Sequence, residues 1–211
     1  MKGLTDPCGR RGLATFVNPK LKFRYLTDFS ARFDDYHMIS LQYHEIVVIQ
    51  VYVPNGSDPT GIKKVLDQLL EITEILENIV VIGYLNARMA IALDEGMNSN
   101  GFALLQWLLA SKFTKLEQNE PTYLPNKSIL DHILTTCPAQ CSKPFVYDRD
   151  MNSDHKMIVV DVDVGGRSKT KPNFENGQNS NVAKHMTKWS NNMIINVVNW
   201  KKVTKFLEND I

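Results

Sequence analysis

Residues 77–90, ENIVVIGYLNARMA, read as a short apolar run that ends in a tight polar turn. The core of the run, NIVVIG, is apolar on both faces, which is the pattern of a central strand covered from both sides rather than of a half-solvated one. Upstream, IKKVLDQLLEITEILE (62–77) spaces Ile62, Val65, Leu66, Leu69, Leu70, Ile72 and Leu76 for one face of a helix that leads into that strand. Before the helix, HMISLQY and IVVIQVYV flank the short polar step His44–Glu45 and predict a hairpin, and VPNGSDPTG is dense in turn formers. A further strand-like stretch, RGLATFVN (11–18), opens the β-rich first third. Downstream come a second helix in NGFALLQWLLASK, then PTYLP, the strand SILDHILTT, the polar loop YDRDMNSDH and a last strand, KMIVVDVDV. Helices interleaved with adjacent hairpin strands indicate a layered α/β domain with at least one mixed sheet.

The 211 residues are 43% hydrophobic and 22% charged, the composition of one globular core plus a tail. Apolar runs such as IVVIQVYV stop well short of the ~20 residues of a membrane helix, so no membrane partner is expected. The N-terminal MKGLTDPCGRRG lacks the apolar stretch of a secretory signal, and with three cysteines, Cys8, Cys137 and Cys141, no even disulfide framework is available. Both features suit a reducing, intracellular setting. Cys137 and Cys141 stand three residues apart around a proline, a spacing that could suggest metal, but no second Cys/His pair completes such a site and buried thiols account for them equally well.

The formal charge of +1 hides an asymmetry. From Gly165 onward eight Lys/Arg face three Asp/Glu, which leaves the body with 16 basic and 20 acidic residues. The body as a whole lacks the basic footprint of a nucleic-acid binder, and only the tail leans that way. Its Asn/Ser/Lys-rich KTKPNFENGQNSN reads as a linker, so the chain divides into a domain over 1–164 and a basic, Asn-rich tail over 165–211 that could end in a helix.

Chemistry is legible where polar residues meet strand ends. Four turns stand out: Tyr52-Val-Pro-Asn55, Gly83-Tyr-Leu-Asn86, Asp131-His132 and Ser153-Asp154-His155. Phosphodiester hydrolysis needs an oriented water, neutralised phosphoryl oxygens and a hard cation held by carboxylates. Asp154 could ligate a metal, His155 could move a proton or contact phosphate, Asp131 could fix the imidazole tautomer and Asn86 could orient by its amide. A single Asp-His dipeptide is ordinarily a turn or surface pair; the order and strand-end placement of the whole set carry the weight.

VYVPN, VVIGYLNAR, NGFALL, PTY, SILDHIL and NSDHKMIVV, in that order, resemble the endonuclease/exonuclease/phosphatase superfamily, and most of all the apurinic-like endonuclease domain of non-LTR retrotransposons. The resemblance covers about residues 11–164, and the tail sequence from AKHMTKW onward more loosely resembles the stretch downstream of that domain in retrotransposon polyproteins. It implies a four-layer α/β sandwich of two packed mixed sheets flanked by helices, with Mg²⁺ as cofactor, DNA as partner and the nucleus as the place of work. Carried over position by position, Tyr52 and Asn55 match a phosphate- and site-lining pair, Asn86 the asparagine of a Gly-Asp-x-Asn motif, Asp131 the aspartate supporting the catalytic histidine, and Asp154 and His155 the metal-side aspartate and histidine of a Ser-Asp-His motif.

Two departures accompany these matches. Tyr84 stands where the Gly-Asp-x-Asn aspartate, which orients or deprotonates water, is expected. A phenol with a reference pKa of about 10 is protonated at neutral pH and cannot replace a carboxylate acceptor, though its ring could bind substrate by stacking on a base. The resembled pattern also opens with a site asparagine and a metal-binding glutamate that find no counterpart here, since the first glutamate is Glu45 in the hairpin turn. The reading from sequence is therefore a truncated, degenerate endonuclease domain without cleavage activity and with a long apolar sheet edge exposed. Its alternatives are a working Mg²⁺-dependent nuclease, a non-catalytic module binding nucleic acid or protein, and a small-molecule phosphatase of the same superfamily.

Overall fold

The computed structural model describes residues 2–5, 12–18, 20–55, 58–90, 96–147, 153–164 and 193–197. Its strands are β1 (Lys2–Thr5), β2 (Gly12–Thr15), β3 (Arg24–Tyr25), β4 (Ala31–Arg32), β5 (His37–Tyr43), β6 (Ile46–Tyr52), β7 (Asn78–Tyr84), β8 (Thr114–Lys115), β9 (Asp131–Thr135), β10 (Phe145–Tyr147), β11 (Met157–Val162) and β12 (Met193–Val197). Two α-helices, α1 (Thr60–Thr73) and α2 (Ser99–Ala110), lie between them.

A mixed sheet runs β3-β5-β6-β7-β9-β8, with β4 also pairing β5. β5 and β6 form the hairpin expected around His44–Glu45, in register Tyr43↔Ile46, and His44 takes the left-handed conformation (φ 52°) that the two-residue connection demands. β6 and β7 are parallel, as a connection through α1 requires, and β9 returns antiparallel to β7. β10, β11 and β12 make a second, small antiparallel sheet, and β1 and β2 a separate hairpin.

The two-sided apolar reading of β7 is borne out, and β6 beside it is buried on both faces as well. Val47, Ile49, Val51, Ile79 and Val81 join a core with α1 and α2, whereas Ile46, Val48, Val80 and Ile82 join a second core with Ile158, Val160 and Val162 of β11. The alternation of side chains along a strand sends successive residues to opposite faces. The result is two packed sheets with both helices covering the outer face of the large one.

On α1, Ile62, Val65, Leu66, Leu69 and Ile72 are buried as the spacing predicts. Leu70 is exposed and Leu76 lies beyond the helix, packed against the core from its connection to β7, so the helical face is narrower than the sequence suggests. Asp58 holds the start of α1 by accepting from Thr60 N (3.0 Å) and Thr60 Oγ1 (2.5 Å). α2 is begun by Asn98, whose Oδ1 accepts from Gly101 N at 2.8 Å. The outer edge of β5 pairs with the two-residue strands β3 and β4, and Ile39 and Leu41 pack with Leu13 of β2. The outer edge of β5 is thus covered by very short edge strands carrying Arg24 and Arg32.

Within the tail, Met193–Val197 pairs antiparallel with β11 in register Val160↔Ile195. The linker reading of 165–192 and the helix considered near the C-terminus fall outside the described residues.

Asp161 of β11 has a buried Oδ1 with no hydrogen-bond partner among the described residues, and burial pushes its carboxyl up from the usual carboxylate value. Because the folded chain then holds this proton longer than the unfolded one, Asp161 lowers stability as pH rises from about 4, the reference carboxylate range, through its folded pKa. Asp161→Asn should therefore be more stable than the native chain at pH 7, and the gap should close near pH 3. Urea midpoints of both proteins at the two pH values check this; a gap unchanged by pH would contradict it.

Candidate functional site

Three neighbouring strands place one residue each in a single row at the end of the large sheet. Tyr52 of β6 lies opposite Tyr84 of β7, and Tyr84 lies opposite Asp131 of β9. Directly opposed residues on neighbouring strands share a face, so these three side chains are side by side. Gly83, just before Tyr84, has to be glycine: a Cβ there would stand 1.9 Å from the Val51 carbonyl oxygen. Beyond the strand end, Leu85 N donates to Leu130 O (3.1 Å) and Val53 N to Tyr84 O (2.8 Å), fastening the turn to both flanking strands.

His155 enters from the segment ahead of β11 and brings the small sheet to this row. Its Nδ1 lies 2.7 Å from Asp131 Oδ2, and both side chains are buried. A carboxylate only accepts, so Nδ1 donates the proton in this pair. Asp131 is itself held: Thr122 Oγ1 accepts from the N–H groups of Leu130 and Asp131 at 3.2 Å, and Gln118 Nε2 donates to Asp131 O at 3.0 Å. On the other side, Ser153 Oγ accepts from His155 N (3.1 Å), Leu124 N donates to Asp154 O (2.9 Å), and Lys156 N donates to Thr122 O (2.7 Å).

Tyr84 fills the middle of this arrangement. Only 7% exposed, its ring stacks on Tyr52 (centroids 5.7 Å, 28°) and stands edge-on to His155 (5.1 Å, 81°), while its hydroxyl donates to Asn55 Oδ1. Burial, with a smaller contribution from the negative charge of Asp131, raises the phenol far above its ordinary value, so it is neutral at any physiological pH. The residue that departs from the Gly-Asp-x-Asn pattern is thus a packed, neutral ring within the site.

The sequence-predicted residues divide accordingly. Tyr52, Tyr84, Asn55, Asp131 and His155 converge, and Asp154 sits beside His155 with its charge felt at Tyr84. Asn86 lies two residues past the row in the left-handed conformation (φ 50°), and its carbonyl accepts from Asn98 Nδ2 at 2.8 Å, which ties it to the start of α2. Glu45, by contrast, is exposed in the β5–β6 turn, at the opposite end of β6 from Tyr52. Residues the sequence did not single out are Tyr123, whose ring is 4.9 Å from His155, and the supporting Thr122, Gln118 and Asn98. PTY contains the first two, but nothing in one sequence says which residues of a loop will face the histidine.

Magnesium, the cofactor the resemblance implies, needs about six oxygen donors in near-octahedral array, supplied in part by carboxylates. Asp131 is committed to His155 and Tyr84 offers a neutral hydroxyl already bonded to Asn55, so among the described residues Asp154 is the remaining carboxylate of the site. Among the described residues no group of three or more His, Cys, Asp or Glu could hold a metal ion, Cys137 and Cys141 included. Among the described residues the set offers Mg²⁺ one carboxylate, the low end of what that ion takes from protein.

The endonuclease-reverse transcriptase family model matches residues 46–159, more than half of the chain. No curated protein matches. Among solved structures, the endonuclease domain of TRAS1, a telomere-specific non-LTR retrotransposon, is similar with a TM-score of 0.60 at 15% identity, over 77% of this chain and 76% of that one. The 3'-5' exonuclease NExo from Neisseria meningitidis is similar at a TM-score of 0.50 and 19% identity, over 59% of this chain and 64% of that one. The 3' phosphatase NExo from Neisseria, bound to product DNA hairpin, gives 0.51 and 19%, over 60% and 64%. At these identities the likeness is one of fold, a large mixed sheet packed on a small one with helices outside. With the family model spanning β6 through most of β11 and every element of the site row, the chain belongs to the endonuclease-reverse transcriptase family, within the endonuclease/exonuclease/phosphatase superfamily.

Proposed function

We propose that this chain is a retrotransposon-type endonuclease domain whose hydrolytic site is closed by Tyr84. The observation that carries the reading is the ring itself, wedged between Tyr52 and His155 with its hydroxyl on Asn55. The His155–Asp131 dyad is intact and could still exchange a proton. Among the described residues it lacks a carboxylate that orients water and an acidic cradle for a cation. Loss of a general base alone costs about 10²–10⁴ in rate, and a ring in the volume needed by water and phosphate adds to that. DNA is the polymer that the NExo product complex contains, and it is the partner class proposed here, with the nucleus as the place where such a domain would meet it. Divalent metal, general in the superfamily, would be held weakly if at all by this donor set.

Nicking of supercoiled plasmid in Mg²⁺ tests the reading, with His155→Ala as the blank and circular dichroism to show that both proteins are folded. The expected result is a native rate no higher than the blank. Native nicking well above it would overturn the proposal and require other groups to replace the carboxylate.

A further inference from the structure

At the far end of β9 from Asp131 lies a pair of thiols that the hydrolytic site does not use. Cys137 follows β9 by two residues, and Cys141 closes the 3₁₀ turn Pro138–Gln140. The turn is held by Gln140 N donating to Cys137 O and Cys141 N donating to Pro138 O, each at 3.1 Å. Thr135 Oγ1 stands 3.3 Å from Cys137 Sγ and 3.8 Å from Cys141 Sγ, so both sulfurs gather at one hydroxyl. The same oxygen accepts from Cys137 N (3.0 Å) and donates to Ile79 O (2.9 Å), which anchors it to β7. Ser142 N donates to Asp161 O at 2.8 Å and Cys141 bridges Val162, which fixes the turn against β11 as well.

The two thiols are not equivalent. Cys137 is buried and Cys141 half-buried. The Cys141 thiol donates to the Cys137 carbonyl at 3.6 Å; its proximity, ahead of that of the Thr135 hydroxyl, lowers the Cys137 thiol, while Cys137 and burial raise the thiol of Cys141. A low-pKa thiolate beside a protonated thiol is the arrangement of an attacking and a resolving cysteine.

We propose that Cys137 and Cys141 form a peroxide-sensitive, reversible disulfide. The Cys137 thiolate attacks one oxygen of hydrogen peroxide; the S–O bond forms, the O–O bond breaks, hydroxide leaves, and the attacked oxygen keeps its hydrogen, giving the sulfenic acid directly. The Cys141 sulfur then attacks Cys137 Sγ; the S–S bond forms, the S–O bond breaks, and water leaves with the proton from Cys141. The two sulfurs together lose two electrons, which the peroxide takes up. A dithiol reductant reverses the step by exchange.

The test uses the full chain with Cys8→Ser, so that only this pair can react. The protein is treated with a small excess of hydrogen peroxide, unfolded, blocked with a maleimide and digested, and the peptide carrying both cysteines is weighed. Expected is a peptide lighter by two hydrogens and free of maleimide, which takes up two maleimides after treatment with dithiothreitol. Adding Cys141→Ser should stop the reaction at Cys137, leaving a sulfenic acid that dimedone traps. Full maleimide labelling of both cysteines after peroxide, or disulfides found only between chains, would overturn the proposal.

Discussion

Replacing Tyr84 by alanine is expected to cost about 3–5 kcal/mol of stability, the range for deleting a buried aromatic ring from a packed core. The ring is 7% exposed and has aromatic neighbours on two sides, so its removal leaves a hole that Tyr52 and His155 cannot both move to fill. Tyr84→Phe keeps the ring and gives up only the hydrogen bond to Asn55, for about 0.5–1.5 kcal/mol. Urea midpoints of the three proteins separate the two contributions. Tyr84→Asp adds a carboxylate next to Asp131 and Asp154, so its stability should be poor in metal-free buffer and should rise on adding Mg²⁺, while the native midpoint should not move. A loss under about 1 kcal/mol for Tyr84→Ala would mean that the ring is not the packed plug described here.

The second large effect belongs to Asp131. Its Oδ2 accepts from His155 Nδ1 at 2.7 Å between side chains that are 3% and 5% exposed. Asp131→Ala leaves a buried imidazole N–H without its acceptor, at a cost of about 1–3 kcal/mol. Asp131→Asn keeps an acceptor oxygen and should recover part of that loss. Urea midpoints of the native chain and the two variants decide this, and an Asp131→Asn protein as unstable as Asp131→Ala would show that the hydrogen bond to His155 does not hold the fold.

Much of the fold was legible along the chain because strands and helices here obey local rules. The β5–β6 hairpin was readable from two apolar runs around His44–Glu45, α1 from the spacing of Ile62, Val65, Leu66, Leu69 and Ile72, and β7 from an apolar run with no polar face. Leu70 marks the limit of such reading: periodicity gives the direction a side chain points, and only the neighbouring element decides whether anything covers it. The covering of the β5 edge by β3 and β4 was likewise beyond periodicity, because strands of two residues leave no repeat to detect.

For the site, residue types and their order could be read directly along the chain: a tyrosine at the end of one strand, a second tyrosine in place of a carboxylate on the next, then Asp131 and, 24 positions later, His155. It took the folded arrangement to show that Tyr52, Tyr84 and Asp131 form one row, that the small sheet carries His155 onto it, and that the Tyr84 ring is buried within the site. The division comes from the range of the interactions. Strand and helix formation depends on side chains a few residues apart, whereas register across three strands and the closing of one sheet on another are set by cores built from residues far apart in the chain, where no local pattern records the partner.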